Sequence, residues 1–253
     1  MGKAPYRFYL VAAGKYHNID FARLEILKLL SEDERFRVQV GDDYSNIEAI
    51  QAADVLITYT CDVIPTEEEQ AGLHDFLSNG GKWFALHGTN SILRFLEDGR
   101  VDTPDEAPKF MEMLGSQFAA HPPIMPYTVH VTEGQEEHPL VKGVEPFEVD
   151  DELYCCNYIG ENTAYIQTEW NGTCDGFTDE DWTDEAKGTH LVMYTHDYHG
   201  GEVLYLTLGH CRGKYDMQPM IEEYPTIEEG AWAQPVYYDL LRRGIRYCIG
   251  ELQ

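Results

Sequence analysis

Between Thr66 and Gly88 the chain switches element type in a way that leaves few folds open. Pro65-Thr66-Glu67-Glu68-Glu69 carries the signals of a helix start, Leu73, Phe76 and Leu77 give the helix an apolar stripe, and Gly80-Gly81 stop it. An apolar strand follows, Lys82-Trp83-Phe84-Ala85-Leu86, and then His87-Gly88, which puts an imidazole where a buried strand ends and the backbone turns sharply. Helix, glycine stop, apolar strand and turn is the grammar of parallel α/β proteins. In open sheets of that kind the carboxyl ends of the strands open into the ligand crevice, so His87 is expected to face a pocket rather than the core.

The same alternation reaches back to the N-terminus. Arg7 to Ala13 reads as a strand, Gly14-Lys15-Tyr16-His17-Asn18 as a loop, and a helix from about Asp20 places Phe21, Leu24, Leu27 and Leu30 on one face. Phe36 to Val40 and Asp54 to Tyr59 are further strands, separated by a short helix over Ser45 to Ala53. Four βα steps of this kind predict an α/β fold with an open, mainly parallel sheet. Past Gly88 the pattern loosens into a lid-like stretch, with a helix near Ala107 to Leu114 and a rigid turn at Pro122-Pro123. Tyr127 to Val131, Phe147 to Val149, Leu153 to Tyr158 and Thr163 to Thr168 read as short strands of antiparallel style, and the acidic segment Asn171 to Lys187 as an exposed insertion. His190 to Tyr194 and Glu202 to Leu208 flank a hairpin turn over His196 to Gly201, and a last helix over Trp232 to Ile249 offers Val236, Leu240, Leu241 and Ile245 for packing. With 253 residues and no internal repeat or linker, residues 1–253 are expected to form a single domain.

Charge narrows the choice of partner. The 45 acidic against 18 basic residues give a formal charge of −27, which repels phosphate backbones and anionic membranes, so neither nucleic acid nor membrane is an expected partner. A neutral ligand or a bound cation fits that balance, although plain solubility or a salty habitat explains it equally simply. The six cysteines show no C-x-x-C spacing, no cleavable apolar leader is read, and no apolar run approaches the ~20 residues of a membrane helix. These features lead to the expectation of a cytoplasmic protein with reduced thiols.

Four positions fall in the same topological place: His17 after the first strand, His87 after the fourth, Glu152 in Asp150-Asp151-Glu152-Leu153-Tyr154, and His210 after a late strand. Imidazoles with one carboxylate are the ligand set of a catalytic divalent metal such as Zn, Mn or Fe, with a position left open for water or substrate. Each residue alone is more simply structural; together they require the fold to bring them to one crevice.

The order of several short motifs resembles one family. Gly14-Lys15-Tyr16-His17, Gly80-Gly81-Lys82 leading to Leu86-His87-Gly88, Phe118 to His121-Pro122, His138-Pro139-Leu140, Asp151-Glu152-Leu153-Tyr154, and Tyr198 to Gly209-His210 are similar to those of ThuA-like (trehalose utilisation) proteins, over nearly the whole chain. The resemblance implies a flavodoxin-like fold with helices on both faces of the sheet and an antiparallel extension, related to class I glutamine amidotransferases. His87 then stands at the elbow where an amidotransferase carries its nucleophilic cysteine, so glutamine hydrolysis is not expected. Cys61 lacks the G-x-C-x-G context, and Cys211 is a softer ligand candidate ranked below the histidines.

The resemblance also implies a small-molecule sugar or glycoside as substrate, in particular a 3-keto-glycoside. A ketone at C3 acidifies the C2 proton, a divalent cation stabilises the resulting charge, and the C1 substituent is lost by elimination or hydrolysis. His121 and Asp151 are the candidates for base and acid, with His121 open to a ligand role and Asp151 to one of orienting a histidine. Tyr16, Tyr154, Tyr198 and Trp182 are candidates for stacking on a sugar, and His199 for substrate contact, in a turn where the family usually has glycine. His138 reads as structural. A homo-oligomer is expected from the family. The competing reading is a noncatalytic sugar-binding or assembly subunit on the same scaffold.

Overall fold

The computed structural model describes residues 5–252. The expected alternation is realised in β1 (Tyr6–Gly14), α1 (Ile19–Leu30), β2 (Phe36–Gly41), α2 (Ile47–Gln51), β3 (Val55–Cys61), α3 (Glu67–Ser78) and β4 (Lys82–Leu86). Next come the ribbon of β5 (Arg94–Phe95) and β6 (Val101–Asp102), the helix α4 (Pro108–Leu114), and β7 (Ser116–Ala120), β8 (Met125–Val131), β9 (Phe147–Asp151), β10 (Cys155–Tyr158) and β11 (Asn162–Glu169). A second ribbon of β12 (Gly172–Thr173) and β13 (Asp181–Trp182), the hairpin of β14 (Thr189–Tyr198) and β15 (Gly201–Leu206), and the helix α5 (Pro235–Cys248) complete the order.

Nine strands form one sheet in the order β2-β1-β3-β4-β15-β14-β11-β8-β9. The strands from β2 to β15 run parallel, with β15 as the fifth strand of a flavodoxin-like arrangement, and β14, β11, β8 and β9 continue it in antiparallel pairs. This is the expected mainly parallel sheet with an antiparallel extension. Alternation along the strands explains why helices cover both faces. Phe8, Leu10 and Ala12 of β1 share a core with Ile26 of α1 and Leu240 of α5, whereas Tyr9 and Val11 share the other core with Ile50 of α2, Leu73 of α3 and Phe110 of α4. At the start of α3, Thr66 and Glu69 cap each other reciprocally, at 3.3 and 2.7 Å, as the local sequence predicts.

Three sequence expectations change. Helix α1 turns Ala22, Ile26, Leu29 and Leu30 inward and leaves Leu24 exposed, because Ala22 begins the i, i+4, i+7, i+8 stripe and a small residue carries little weight in a hydrophobic count. Residues 116–120, read only as the approach to a turn, form β7, which pairs with β10 outside the main sheet. The segment Asn171 to Lys187 is not a plain exposed insertion: Cys174, Phe177 and Trp182 are buried, and backbone hydrogen bonds from Val101 N to Gly176 O and from Thr178 N to Val101 O tie the two ribbons together. Among the described residues, no helix is long and apolar enough to cross a membrane.

The parallel register aligns the strand ends, pairing Gly14 with Cys61, Tyr59 with Leu86, and Leu86 with Leu206. The loops after β1, β3, β4 and β15 therefore leave from one rim. Gly209, in the last of these loops, has φ +124, and a β-carbon there would lie 2.3 Å from the Tyr237 hydroxyl oxygen. Gly134 is also left-handed, at φ +84, but nothing lies within 4 Å of the same position. Gly209→Ala is expected to destabilise the fold by about 2–4 kcal/mol and Gly134→Ala by about 1 kcal/mol, read as shifts in urea midpoint; equal shifts would contradict this packing.

Candidate metal centre

His17 follows β1, His87 follows β4 and His210 follows β15, all at the rim where parallel strands end. His87 has φ 44, a left-handed conformation that a histidine adopts only when its surroundings hold it there. Tyr205 supplies that hold: its hydroxyl donates to the His87 carbonyl at 2.6 Å and accepts the Asn90 N–H at 2.8 Å. Glu152 arrives from the far edge of the sheet, directly after β9, which runs in the same direction as β15. One donor atom from each of His17, His87, Glu152 and His210 lies within 4.8 Å of the others, and all four residues are buried.

The outer nitrogen of each imidazole determines what the inner one presents. His87 Nδ1 lies 2.8 Å from Thr207 O, and His17 Nδ1 lies 3.2 Å from Lys15 O. A carbonyl only accepts, so both Nδ1 atoms carry the proton and both Nε2 atoms present lone pairs. Those two Nε2 atoms face each other at 2.9 Å. His210 Nε2 donates to Glu228 Oε2 at 2.8 Å, which leaves the Nδ1 of the neutral ring as a buried lone pair with no hydrogen-bond partner, 3.1 Å from Glu152 Oε1. His17 and His87 Nε2 each lie 3.5 Å from Glu152 Oε2. Lone pairs and a carboxylate crowded together repel unless a positive charge sits among them. Metal bonds of about 2.0–2.2 Å put tetrahedral ligand atoms about 3.3 Å apart, so the donor set and the pairs at 2.9 to 3.5 Å fit a divalent cation of the Zn, Mn or Fe kind, which would draw together the pairs that lie as far as 4.8 Å apart.

The titration behaviour points the same way. Burial opposes the charge of Glu152, but His210, His121 and His17 outweigh it and hold the carboxyl well below its usual range. Burial, with His87 and His210 adding to it, outweighs the pull of Glu152 and pushes His17 down to about 3, so it is neutral at pH 7. His210 resists its own burial because Glu152 and Glu228 lie on either side, and it is pushed up to about 9, so that without a cation a proton occupies its Nδ1 and a metal ion would have to displace it. A positive charge is favoured where these groups meet.

Asp151, a candidate for acid or base or for orienting a histidine, is placed for the second of these roles. Its carboxylate does not face the pocket; it accepts backbone N–H groups from Glu152 at 2.8 Å, Gly209 at 3.1 Å, His210 at 3.2 Å and Ala231 at 2.7 Å. A pocket of about 320 Å³ opens beside the cluster, and His17, Glu152, Tyr16, Tyr154 and His121 line it. His121 Nδ1 donates to Pro122 O at 2.7 Å, so its Nε2 lone pair is free to face Glu152, 3.7 Å away. The Tyr154 hydroxyl lies 3.3 Å from His87 Nε2.

Tyr198 and His199, expected at the same site, lie elsewhere. They sit in the turn between β14 and β15, at the start of a strand parallel to β4, whereas His87 and His210 lie past the ends of those strands. Both aromatic rings pack instead on His74 of α3. Trp182 packs on His190 away from the pocket, His138 stacks on Tyr165, and Cys211 contacts Tyr59 and Asn18 rather than joining the ligands. Cys61 does line the pocket, but burial pushes its thiol well above the usual range, and the nearby Glu152 and Asp62 charges add to this; it is no nucleophile.

Arg212 was not expected. It bonds Glu152 Oε1 at 3.2 Å, Glu228 Oε2 at 2.9 Å and Tyr16 O at 2.9 Å, and so links the cluster to the loop that carries His17. Phe177 and Asp175, from the segment expected to be exposed, also line the pocket. The sequence hint for Arg212 is its place two residues after His210.

Residues 9–223 match the protein family described as trehalose utilisation, ThuA. Among solved structures, a ThuA-like protein from Bacteroides uniformis ATCC 8492 superposes with a TM-score of 0.67 at 18% identity, over 100% of this chain and 95% of that one. A ThuA-like protein from Parabacteroides merdae ATCC 43184 gives 0.61 at 17% identity, over 98% and 92%. A cold-adapted beta-galactosidase from Rahnella sp. R3 gives 0.56 at 11% identity, covering 99% of this chain but 32% of its own. A search among curated proteins found no match.

Protein stripped with a chelator is expected to bind one equivalent of Zn(II) in calorimetry. His87→Ala and His210→Ala should each lower the affinity at least 100-fold, and Asp151→Asn about 10- to 100-fold through misplacement of Glu152 and His210. Unchanged affinity in the histidine variants would contradict the ligand assignment.

Proposed function

Because this chain belongs to the ThuA (trehalose utilisation) family and so has a carbohydrate-related role, we propose that it is a metal-dependent enzyme acting on a 3-keto-glycoside or related oxidised sugar. The observation that carries this reading is the meeting of three inward imidazole lone pairs and one carboxylate beside a pocket that a fourth imidazole, His121, also faces. The substrate is a small sugar or glycoside.

His17, His87, Glu152 and His210 would hold the cation. When bound, such an ion supplies Lewis-acid stabilisation of the charge that develops on a ketone oxygen. His121 is the base: its Nε2 takes the C2 proton, made acidic by the C3 ketone, because its Nδ1 proton is committed to Pro122 O. The C2–H electron pair becomes the C1=C2 double bond, and the C1–O bond breaks with its pair going to the departing oxygen. Addition of water across C1=C2 then completes a net hydrolysis without any change of oxidation state: the hydroxyl goes to C1, His121 returns its proton to C2, and the water's other proton goes to the departed oxygen. Tyr154, Phe118 and Phe177 form an aromatic wall against which a sugar ring can stack, with ring centroids at 4.5 Å for Phe118 and Tyr154 and 5.8 Å for Phe118 and Phe177.

Turnover of 3-keto-glucosides by the metal-loaded protein tests the reading. His121→Ala is expected to retain the metal and lose at least 100-fold in kcat, whereas His87→Ala loses metal and activity together. Metal-loaded protein that binds sugars without turning over any 3-keto-glycoside would make it a binding subunit instead.

A further inference from the structure

The pocket's lining differs in burial. His17, Glu152, Cys61, Ser91, Tyr154 and the aromatic Phe118 and Phe177 are buried, and the remaining lining side chains, its rim, are half-buried or exposed. The apolar part of that half-buried and exposed set is Leu93, Phe95, Val101 and Met217; its polar members are Tyr16, Asp175 and Arg212, with His121 standing next to the buried end. Phe95 is 41% exposed, and its ring lies 5.3 Å from that of Tyr16, so the two present aromatic surface to the pocket mouth. Both ends of this rim are fixed: the β5–β6 ribbon carries Phe95 and Val101, and Val101 is hydrogen-bonded to Gly176 and Thr178 of the opposite segment.

We propose that the rim is a subsite for an apolar, aryl aglycone, so that the preferred substrates are aryl glycosides rather than disaccharides. This rests on the reading above, in which the sugar's C2 faces His121 and its C1 substituent points outward. A second sugar ring at the rim would surrender the hydration of its hydroxyls to Leu93, Phe95, Val101 and Met217 and find in return Tyr16, Asp175 and an Arg212 whose guanidinium is already bonded to Tyr16 O, Glu228 and Glu152. An aromatic ring loses nothing there and stacks on Phe95 and Tyr16. The volume agrees: about 320 Å³ is at the small end of ligand pockets, room for one sugar with a compact substituent. The chemistry agrees as well. A phenolate, whose conjugate acid has a pKa of about 10, departs with the C1–O electron pair without a proton from the protein, while a sugar alkoxide is a poorer leaving group, and the rim's one carboxyl, Asp175, is exposed.

Two measurements on the metal-loaded protein separate this proposal from the reaction it builds on. In calorimetry, phenyl glucoside is expected to bind at least tenfold more tightly than methyl glucoside or trehalose. Phe95→Ala should remove most of that preference while leaving methyl glucoside affinity and metal content unchanged. In turnover assays, phenyl 3-keto-glucoside should exceed 3-keto-trehalose at least tenfold in kcat/KM. Trehalose binding as tightly as phenyl glucoside, no measurable phenyl glucoside binding, or a Phe95→Ala variant that weakens phenyl and methyl glucosides alike would overturn the subsite. If no 3-keto-glucoside is turned over but the Phe95-dependent preference persists, the reaction fails and the subsite stands.

Discussion

The buried carboxylate of Asp151 is the fastening on which the site depends. Glu152 emerges from β9 at one edge of the nine-stranded sheet, while His210 follows β15 near its middle. Asp151 joins them by accepting N–H groups from its own neighbour, from Gly209 and His210, and from Ala231 ahead of α5. Hydrogen bonds to an ionised acceptor are each worth about 1.5–3 kcal/mol, and a buried carboxylate with several of them specifies one arrangement of three chain segments. Without that arrangement the carboxylate and the imidazoles would belong to separate parts of the rim.

The same economy of partners governs the cluster itself. Each of the three histidines commits its outer nitrogen to a fixed acceptor, Thr207 O, Lys15 O or the Glu228 carboxylate, and so turns its inner nitrogen to the centre, where a cation can take it. Arg212 then ties Glu152 and Glu228 to the Tyr16 carbonyl, so that the shell around the donors is itself connected. The strained backbone at His87, secured by Tyr205, belongs to the same logic: conformational cost is accepted where it aims a ligand. An overall charge of −27 adds a favourable field for a cation, though it acts over the whole surface and selects no site.

Much of this was legible in the sequence because it is written locally. Strand and helix alternation up to Leu86, the Thr66–Glu69 cap, and the position of His17, His87 and His210 after apolar runs all follow from short-range patterns. Glu152 was legible in its acidic run as the carboxylate of the same set, and the family order of motifs agreed with it. What was missed depends on direction and distance. Tyr198 and His199 lie in a turn whose rim is fixed by the parallel pairing of β15 with β4, a fact of topology that composition does not carry. Asp151 and Glu152 are adjacent and chemically alike, yet one faces backbone amides and the other faces imidazoles, because alternate residues leaving a strand point to opposite sides. Cys174 and Phe177 were hidden in an acidic segment whose average polarity conceals a few buried anchors.

The central claim is that four side chains from distant stretches of chain share one cation. Anomalous diffraction from crystals grown with Zn(II) tests it most directly. The account predicts a single strong peak about 2.0–2.2 Å from His17 Nε2, His87 Nε2, His210 Nδ1 and one oxygen of Glu152. Crystals that show no peak among these atoms, or imidazoles turned so that their inner nitrogens bond one another or water instead, would contradict it.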